Sequence, residues 1–171
     1  MNRRVLLLEP NYKNKYPPMG LMKLAMYYRL QGDDVHFYKG DLNLFVLDEL
    51  LVEVLPQLDK ISELSDSRID WSSFAPEIRD YLRTGKIAPE SSFEQYLNDT
   101  PLCFRKLKKY REYFKQGYYF ETPKWDLVGV TTLFTFHWDI TIETIEFAKR
   151  ICKNPEKNLM IGISLLMATP F

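Results

Sequence analysis

The chain has 171 residues, its 23 Lys plus Arg balance its 23 Asp plus Glu, and 46% of it is hydrophobic. Those totals supply enough apolar side chain for a core and exclude a disordered or fibrous chain. A net charge of zero gives no general pull toward nucleic acid or anionic lipid, and no apolar run approaches the roughly 20 residues of a membrane helix.

Arg3 and Arg4 lead into Val5-Leu6-Leu7-Leu8, a short continuous apolar run of the kind that forms a strand buried on both faces. It is too short for the core of a secretory leader, and Glu9 ends it. Glu9 to Gly20 reads as a loop, because Pro17-Pro18 forbids regular helix and presets an extended path. Leu21, Leu24, Ala25 and Tyr28 recur at helical spacing, which predicts a helix from Gly20 to Leu30 that Gly32 terminates. Val35 and Phe37 begin a second strand ending near Gly40. Strand, loop, helix and strand in so few residues is the pattern of a βαβ unit in a parallel sheet.

A second amphipathic helix follows, with its stripe at Leu44, Leu47, Leu51, Val54, Leu55 and Leu58. From about residue 60 to 124 the alternation stops. The segment shows helical pieces, including a capping-box spacing from Ser91 to Glu94 and a stripe at Cys103, Leu107, Tyr110 and Phe114. It reads as a mainly helical insertion in a single domain. Alternation resumes with a third strand over Leu127 to Thr131, a helix over Ile140 to Cys152 that Thr135 or Asp139 is placed to cap, and a fourth strand over Leu159 to Ile163. The expected fold is therefore a Rossmann-like three-layer α/β domain with about four parallel strands. The apolar tail from Ser164 to Phe171 has no helix after it, so the sequence reads as cut short there.

Two cysteines, Cys103 and Cys152, stand far apart without a CxxC spacing, which excludes a local metal knuckle and fits a reducing, cytoplasmic setting. In open parallel sheets, ligands settle beyond the carboxyl ends of the strands. Asn11, Tyr12 and Lys15 offer an amide, a ring and a cation after the first strand. Thr131, Thr132, Thr135 and His137 offer hydroxyls and an imidazole after the third, near a helix N-terminus suited to an anionic group. These seven are the candidate ligand-binding residues; no catalytic or metal-binding set emerges. His137 has no triad partners in view, and no GxGxxG follows the first strand.

Leu6 to Tyr12, then Pro17-Pro18-Met19-Gly20-Leu21 entering a helix, Gly32-Asp33-Asp34-Val35 after it, and Val128-Gly129-Val130-Thr131-Thr132-Leu133 later resemble the N-terminal, cobalamin-binding-like region of radical S-adenosylmethionine proteins. The resemblance spans nearly the whole chain outside the insertion. It implies an accessory or ligand-binding domain that covers or orients a catalytic barrel, with a [4Fe–4S] cluster and S-adenosylmethionine in that barrel and a cobalamin-like ligand as a further cofactor of the parent family. The departure is plain: the family's CxxxCxxC cluster motif is missing, so the chain by itself is expected to perform no radical chemistry. Asp34-Val35-His36 with Gly40 is one residue too long for the D-x-H-x-x-G of cobalt-ligating proteins and falls in a strand, so His36 is read as a strand histidine.

Two alternatives stand beside this reading. A stand-alone interaction module would use the apolar C-terminal edge as its protein interface. A nucleic-acid binder would use Arg105, Lys106, Lys108, Lys109, Arg111 and Lys115 with the neighbouring tyrosines, although such runs are more often the solvated face of an amphipathic helix.

Overall fold

The structure is a computed structural model that describes residues 2–13, 18–65, 68–132 and 137–162. By compactness it divides into two units, residues 1–42 with 120–171, and residues 43–119. The sequence opens the insertion near residue 60; the second unit instead begins at Asn43, because the apolar stripe of the second helix is buried with the helices that follow it.

The first unit is built on β1 (Arg4–Glu9), α1 (Met19–Leu30) and β2 (Asp34–Lys39). Val5, Leu6, Leu7 and Leu8 are wholly buried, each worth roughly 1.5–3 kcal/mol relative to exposure, and they make β1 the centre of the sheet. Leu21, Ala25 and Tyr28 of α1 pack against Val5, Leu7 and Leu127. The helix ends as Gly32 implies: at a φ of +85° it lets Gly32 N–H donate to the Arg29 carbonyl at 3.0 Å and Asp33 N–H to the Tyr28 carbonyl at 3.1 Å, a Schellman motif.

The second unit holds α2 (Leu42–Leu64), α3 (Ala75–Thr84), α4 (Ser92–Asp99) and α5 (Pro101–Lys115). Its core gathers Val54, Leu58, Trp71, Ile78, Leu82, Leu97, Cys103 and Leu107, all at most 1% exposed. The Trp71 indole donates to Ser62 Oγ at 2.6 Å, so the buried ring has its polar partner. Ser91 caps α4, its hydroxyl accepting from Glu94 N–H at 3.2 Å. The reciprocal half of the box is displaced by one residue, since the Glu94 carboxylate accepts from Glu90 N–H at 2.7 Å.

The chain returns to the first unit through β3 (Leu127–Val130), α6 (Trp138–Ile151), the short α7 (Pro155–Asn158) and β4 (Leu159–Ile161). All pairings are parallel and the strand order is β2-β1-β3-β4. Leu6, Leu8, Val128 and Val130 point to the face opposite α1, and α6 buries Thr141, Thr144, Phe147, Ala148 and Ile151. At the amino ends the sheet is closed by charges. The Arg3 guanidinium pairs with Asp33 at 2.6 Å, and the Asp126 carboxylate accepts from Lys153 at 2.7 Å and from Arg4 N–H at 2.8 Å. Among the described residues no helix is long and apolar enough to cross a membrane.

Candidate functional site

The strand order fixes where the sheet opens. From β1 the chain crosses to β2 on one side, and from β3 it crosses to β4 on the other. Right-handed crossovers in opposite directions put α1 and α6 on opposite faces, which makes the carboxyl edge between β1 and β3 the switch point of the sheet. Of the candidate residues, Asn11 and Tyr12 follow β1, and Thr131, Thr132 and His137 follow β3 at this edge.

Tyr12 and His137 are brought together there. Tyr12 is 3% exposed, and its ring centroid lies 5.4 Å from that of His137 at an interplanar angle of 37°. A tight turn at the exposed Asn11, with Tyr12 N–H donating to the Pro10 carbonyl, sends the ring inward. The Tyr12 hydroxyl sits 2.5 Å from Thr141 Oγ1. Thr141 spends its own hydroxyl proton on the His137 carbonyl at 2.9 Å, so Tyr12 is the donor and Thr141 the acceptor. The relay ties the loop after β1 to the first turns of α6.

Thr131 is 7% exposed, and its N–H donates to the Leu8 carbonyl at 3.0 Å, extending the ladder one residue past β3. Thr132 is half-buried beside it. Lys15 and Thr135 lie outside the described residues, as do Pro17 of the Pro-Pro segment and the tail from Ile163. The expectation that Asp139 caps α6 is corrected: Asp139 lies within the first turn, and His137 occupies the cap position without a side-chain cap bond. Acidic charge in a first turn still favours the helix through its dipole.

Three further residues belong to this edge and were not singled out from the sequence. Thr141 closes the hydroxyl relay. Glu9 ends β1 with its side chain 1% exposed, and Lys39 at the end of β2 reaches it at 3.0 Å. The two strands place Arg4 in register with Asp34 and Glu9 with Lys39, and the second of these forms the ion pair. That complementarity was visible in the two segments once they are laid side by side in parallel.

The groups that the resemblance implies fit this edge unequally. A [4Fe–4S] cluster of that type needs three thiolates, and the chain has two cysteines, both buried and in different units. Burial pushes the Cys152 thiol up, away from the thiolate form. Among the described residues no group of three or more His, Cys, Asp or Glu is placed to hold a metal ion. The chain has two histidines, neither in the loop after β1. His36 lies on β2, its Nε2 3.1 Å from Asp34 and its ring 5.2 Å from Trp125 in an edge contact. A corrinoid held by an axial histidine from the first loop does not fit.

The second unit has clefts of its own. One, about 660 Å³, is lined by Asp59, Ser62, Glu63, Arg68, Ile69 and Asp70. Burial first, then the charges of Asp70 and Glu63, hold the Asp59 carboxyl above the usual carboxylate range. A smaller one, about 200 Å³, lies between α2 and α5.

Sheet order and crossovers define the class of the first unit, a Rossmann-like three-layer α/β fold. The chain matches no family model, no curated protein and no solved structure.

Proposed function

We propose that the first unit is a non-catalytic ligand-binding domain of the kind that accompanies the catalytic barrel of radical S-adenosylmethionine proteins. The observation that carries this reading is the meeting of Tyr12 with His137 and Thr141 at the switch point. A hydroxyl relay joins the segment after β1 to the start of α6, which would pre-organise a seat and lower the entropy lost when a ligand settles. Asn11, Thr132 and His137 supply the polar groups around it. The partner implied is the catalytic barrel, which would supply the iron–sulfur cluster and S-adenosylmethionine.

Incubation with hydroxocobalamin followed by gel filtration tests the ligand seat. Retained corrin absorbance that is lost in Tyr12→Ala and unaltered in His36→Ala supports the reading. A colourless protein whose amide resonances at Asn11, Tyr12, Thr132 and His137 do not move with added corrinoid or S-adenosylmethionine removes it.

One observation favours a second reading, a protein-interaction module. On α1, Met19, Met22, Met26 and Leu30 are 48% to 74% exposed and follow one another at helical spacing. Exposed apolar stripes of this sort mark contact surfaces, and methionine suits adaptable ones. Sedimentation as a monomer at every concentration, with no binding of an apolar dye, would discount it.

A further inference from the structure

The basic helix α5 is not one uniform charged face. Lys108 Nζ lies 4.1 Å over the Phe104 ring, Lys115 pairs with Glu112 at 3.9 Å, and the Arg111 guanidinium packs on Gly85 and donates to the Thr84 carbonyl at 3.4 Å. Lys106 and Lys109 differ. With Tyr110 and Tyr113 of the same helix and Glu53 of α2 they line a cleft of about 200 Å³. Neither lysine is ion-paired among the described residues.

The aromatic wall of this cleft is held in place. Gln57 on α2 donates its Nε2 to the Tyr110 hydroxyl at 2.5 Å, and Lys106 Nζ stands 5.8 Å from the Tyr110 ring centroid. Tyr113 lies 6.5 Å from Tyr110 and 6.0 Å from Tyr118, centroid to centroid. Fixed rings lose little entropy when a flat group stacks on them.

From this arrangement we infer that the second unit carries a nucleotide-binding cleft, in which Lys106 and Lys109 hold a phosphate and the Tyr110 and Tyr113 rings receive a base. Two mobile cations beside aromatic faces are the elements with which proteins hold single-stranded nucleic acid. An acidic peptide would use the lysines and leave the rings idle. The volume is below the roughly 300–1,000 Å³ of cofactor and drug-sized sites, so the cleft takes one nucleotide unit, either free or within a strand. Glu53 on the wall disfavours a second phosphate close by, and the zero net charge of the chain supplies no long-range attraction. Binding is therefore local and only modestly salt-dependent.

The salt dependence separates this cleft from a charged helix face. One phosphate contact on a single strand gives a slope of about −0.7 in log K against log salt, or about a 2.6-fold loss between about 50 and 200 mM salt. Five contacts, from Arg105, Lys106, Lys108, Lys109 and Lys115 together, would give about a hundredfold loss.

Fluorescence anisotropy of the full chain with a labelled oligothymidylate reads both quantities. The shallow slope is expected, flattened toward zero when Lys106→Gln and Lys109→Gln are combined, and unchanged in Lys108→Gln. Tyr113→Ala should weaken binding about 5- to 150-fold, the range that stacking one base is worth. Competition by thymidine monophosphate assigns the cleft to a free nucleotide; competition by longer strands alone assigns it to a strand. The steep slope, indifference to Tyr113→Ala, equal displacement by polyglutamate, or no binding of the oligonucleotide at low salt would each overturn the inference.

Discussion

The Tyr12 hydroxyl donates to Thr141 Oγ1 across 2.5 Å, although 129 positions separate the two residues in the sequence. Thr141 passes its own proton to the His137 carbonyl at the start of α6. The bond therefore joins the loop after β1 to the helix after β3, at the edge where the sheet opens. A helix start with no side-chain cap is held instead by a threonine one turn inside it, itself fixed by the tyrosine.

Removing the two ends of this relay should have unequal costs. Tyr12→Phe deletes one hydrogen bond and leaves Thr141 bonded to His137, so a loss of about 1 kcal/mol is expected in urea unfolding. Thr141→Val deletes both bonds of the relay, to Tyr12 and to the His137 carbonyl. Its cost should be larger, about 2–3 kcal/mol. Equal effects would mean that the hydroxyl finds another partner.

The Glu9–Lys39 pair should behave as an enclosed carboxylate held by a more exposed cation. Lys39 is about a quarter exposed, whereas the Glu9 side chain is almost wholly enclosed. Lys39→Met removes the cation and keeps the enclosed carboxylate, at an expected cost of about 2–4 kcal/mol, toward the lower side of broken buried pairs. Adding Glu9→Gln to that variant should restore part of the loss, because the enclosed group then carries no charge. A double-mutant cycle with no coupling would show that Glu9 does not depend on Lys39.

Gly85 and Gly32 both sit in the left-handed region, with φ of +75° and +85° after α3 and α1. A Cβ at Gly32 meets nothing within 4 Å, so Gly32→Ala should cost only the backbone penalty of about 1 kcal/mol. A Cβ at Gly85 would fall 2.5 Å from the Arg111 guanidinium, which must swing away and give up its contact with the Thr84 carbonyl. Gly85→Ala should therefore destabilise more, by about 2 kcal/mol. Thermal unfolding of the two variants checks the order.

The sheet was legible in the sequence because its inner strands are enclosed on both faces and write continuous apolar runs, Val5 to Leu8 and Leu127 to Val130. The edge strand β2 has no fully buried residue, so only Val35 and Phe37 marked it. The helical pieces of the second unit were readable through local signals, the Ser91 cap and the Cys103–Leu107 spacing, but its start at Asn43 was not. Periodicity shows that α2 has an apolar face without showing what covers it. At the switch point, Tyr12 and His137 were named from their positions after β1 and β3. Thr141 escaped because a threonine in a helix stripe with Thr144, Ala148 and Ile151 reads as a small core residue, and only its buried hydroxyl requires a partner.

Acid should separate two aspartates whose environments act in opposite senses. The Lys153 ammonium first, and then the Arg4 N–H, hold the Asp126 carboxyl below the usual carboxylate range. A folded-state pKa below the unfolded value of about 3.9 contributes stability that is present above that pH and disappears as pH falls through the lowered value. Asp126→Asn should therefore destabilise at neutral pH and flatten the acid limb of the stability curve. Asp59 is the reverse case, raised by burial and then by Asp70 and Glu63. Its ionised form is disfavoured in the folded chain, a penalty complete above the raised value and gone once pH drops below about 4. Asp59→Asn should stabilise the protein at pH about 7 and have no effect in the acid range. Urea midpoints of both variants across pH about 3 to 7 test the pair, and parallel curves for wild type and Asp59→Asn would show that the carboxylate in that cleft carries no penalty.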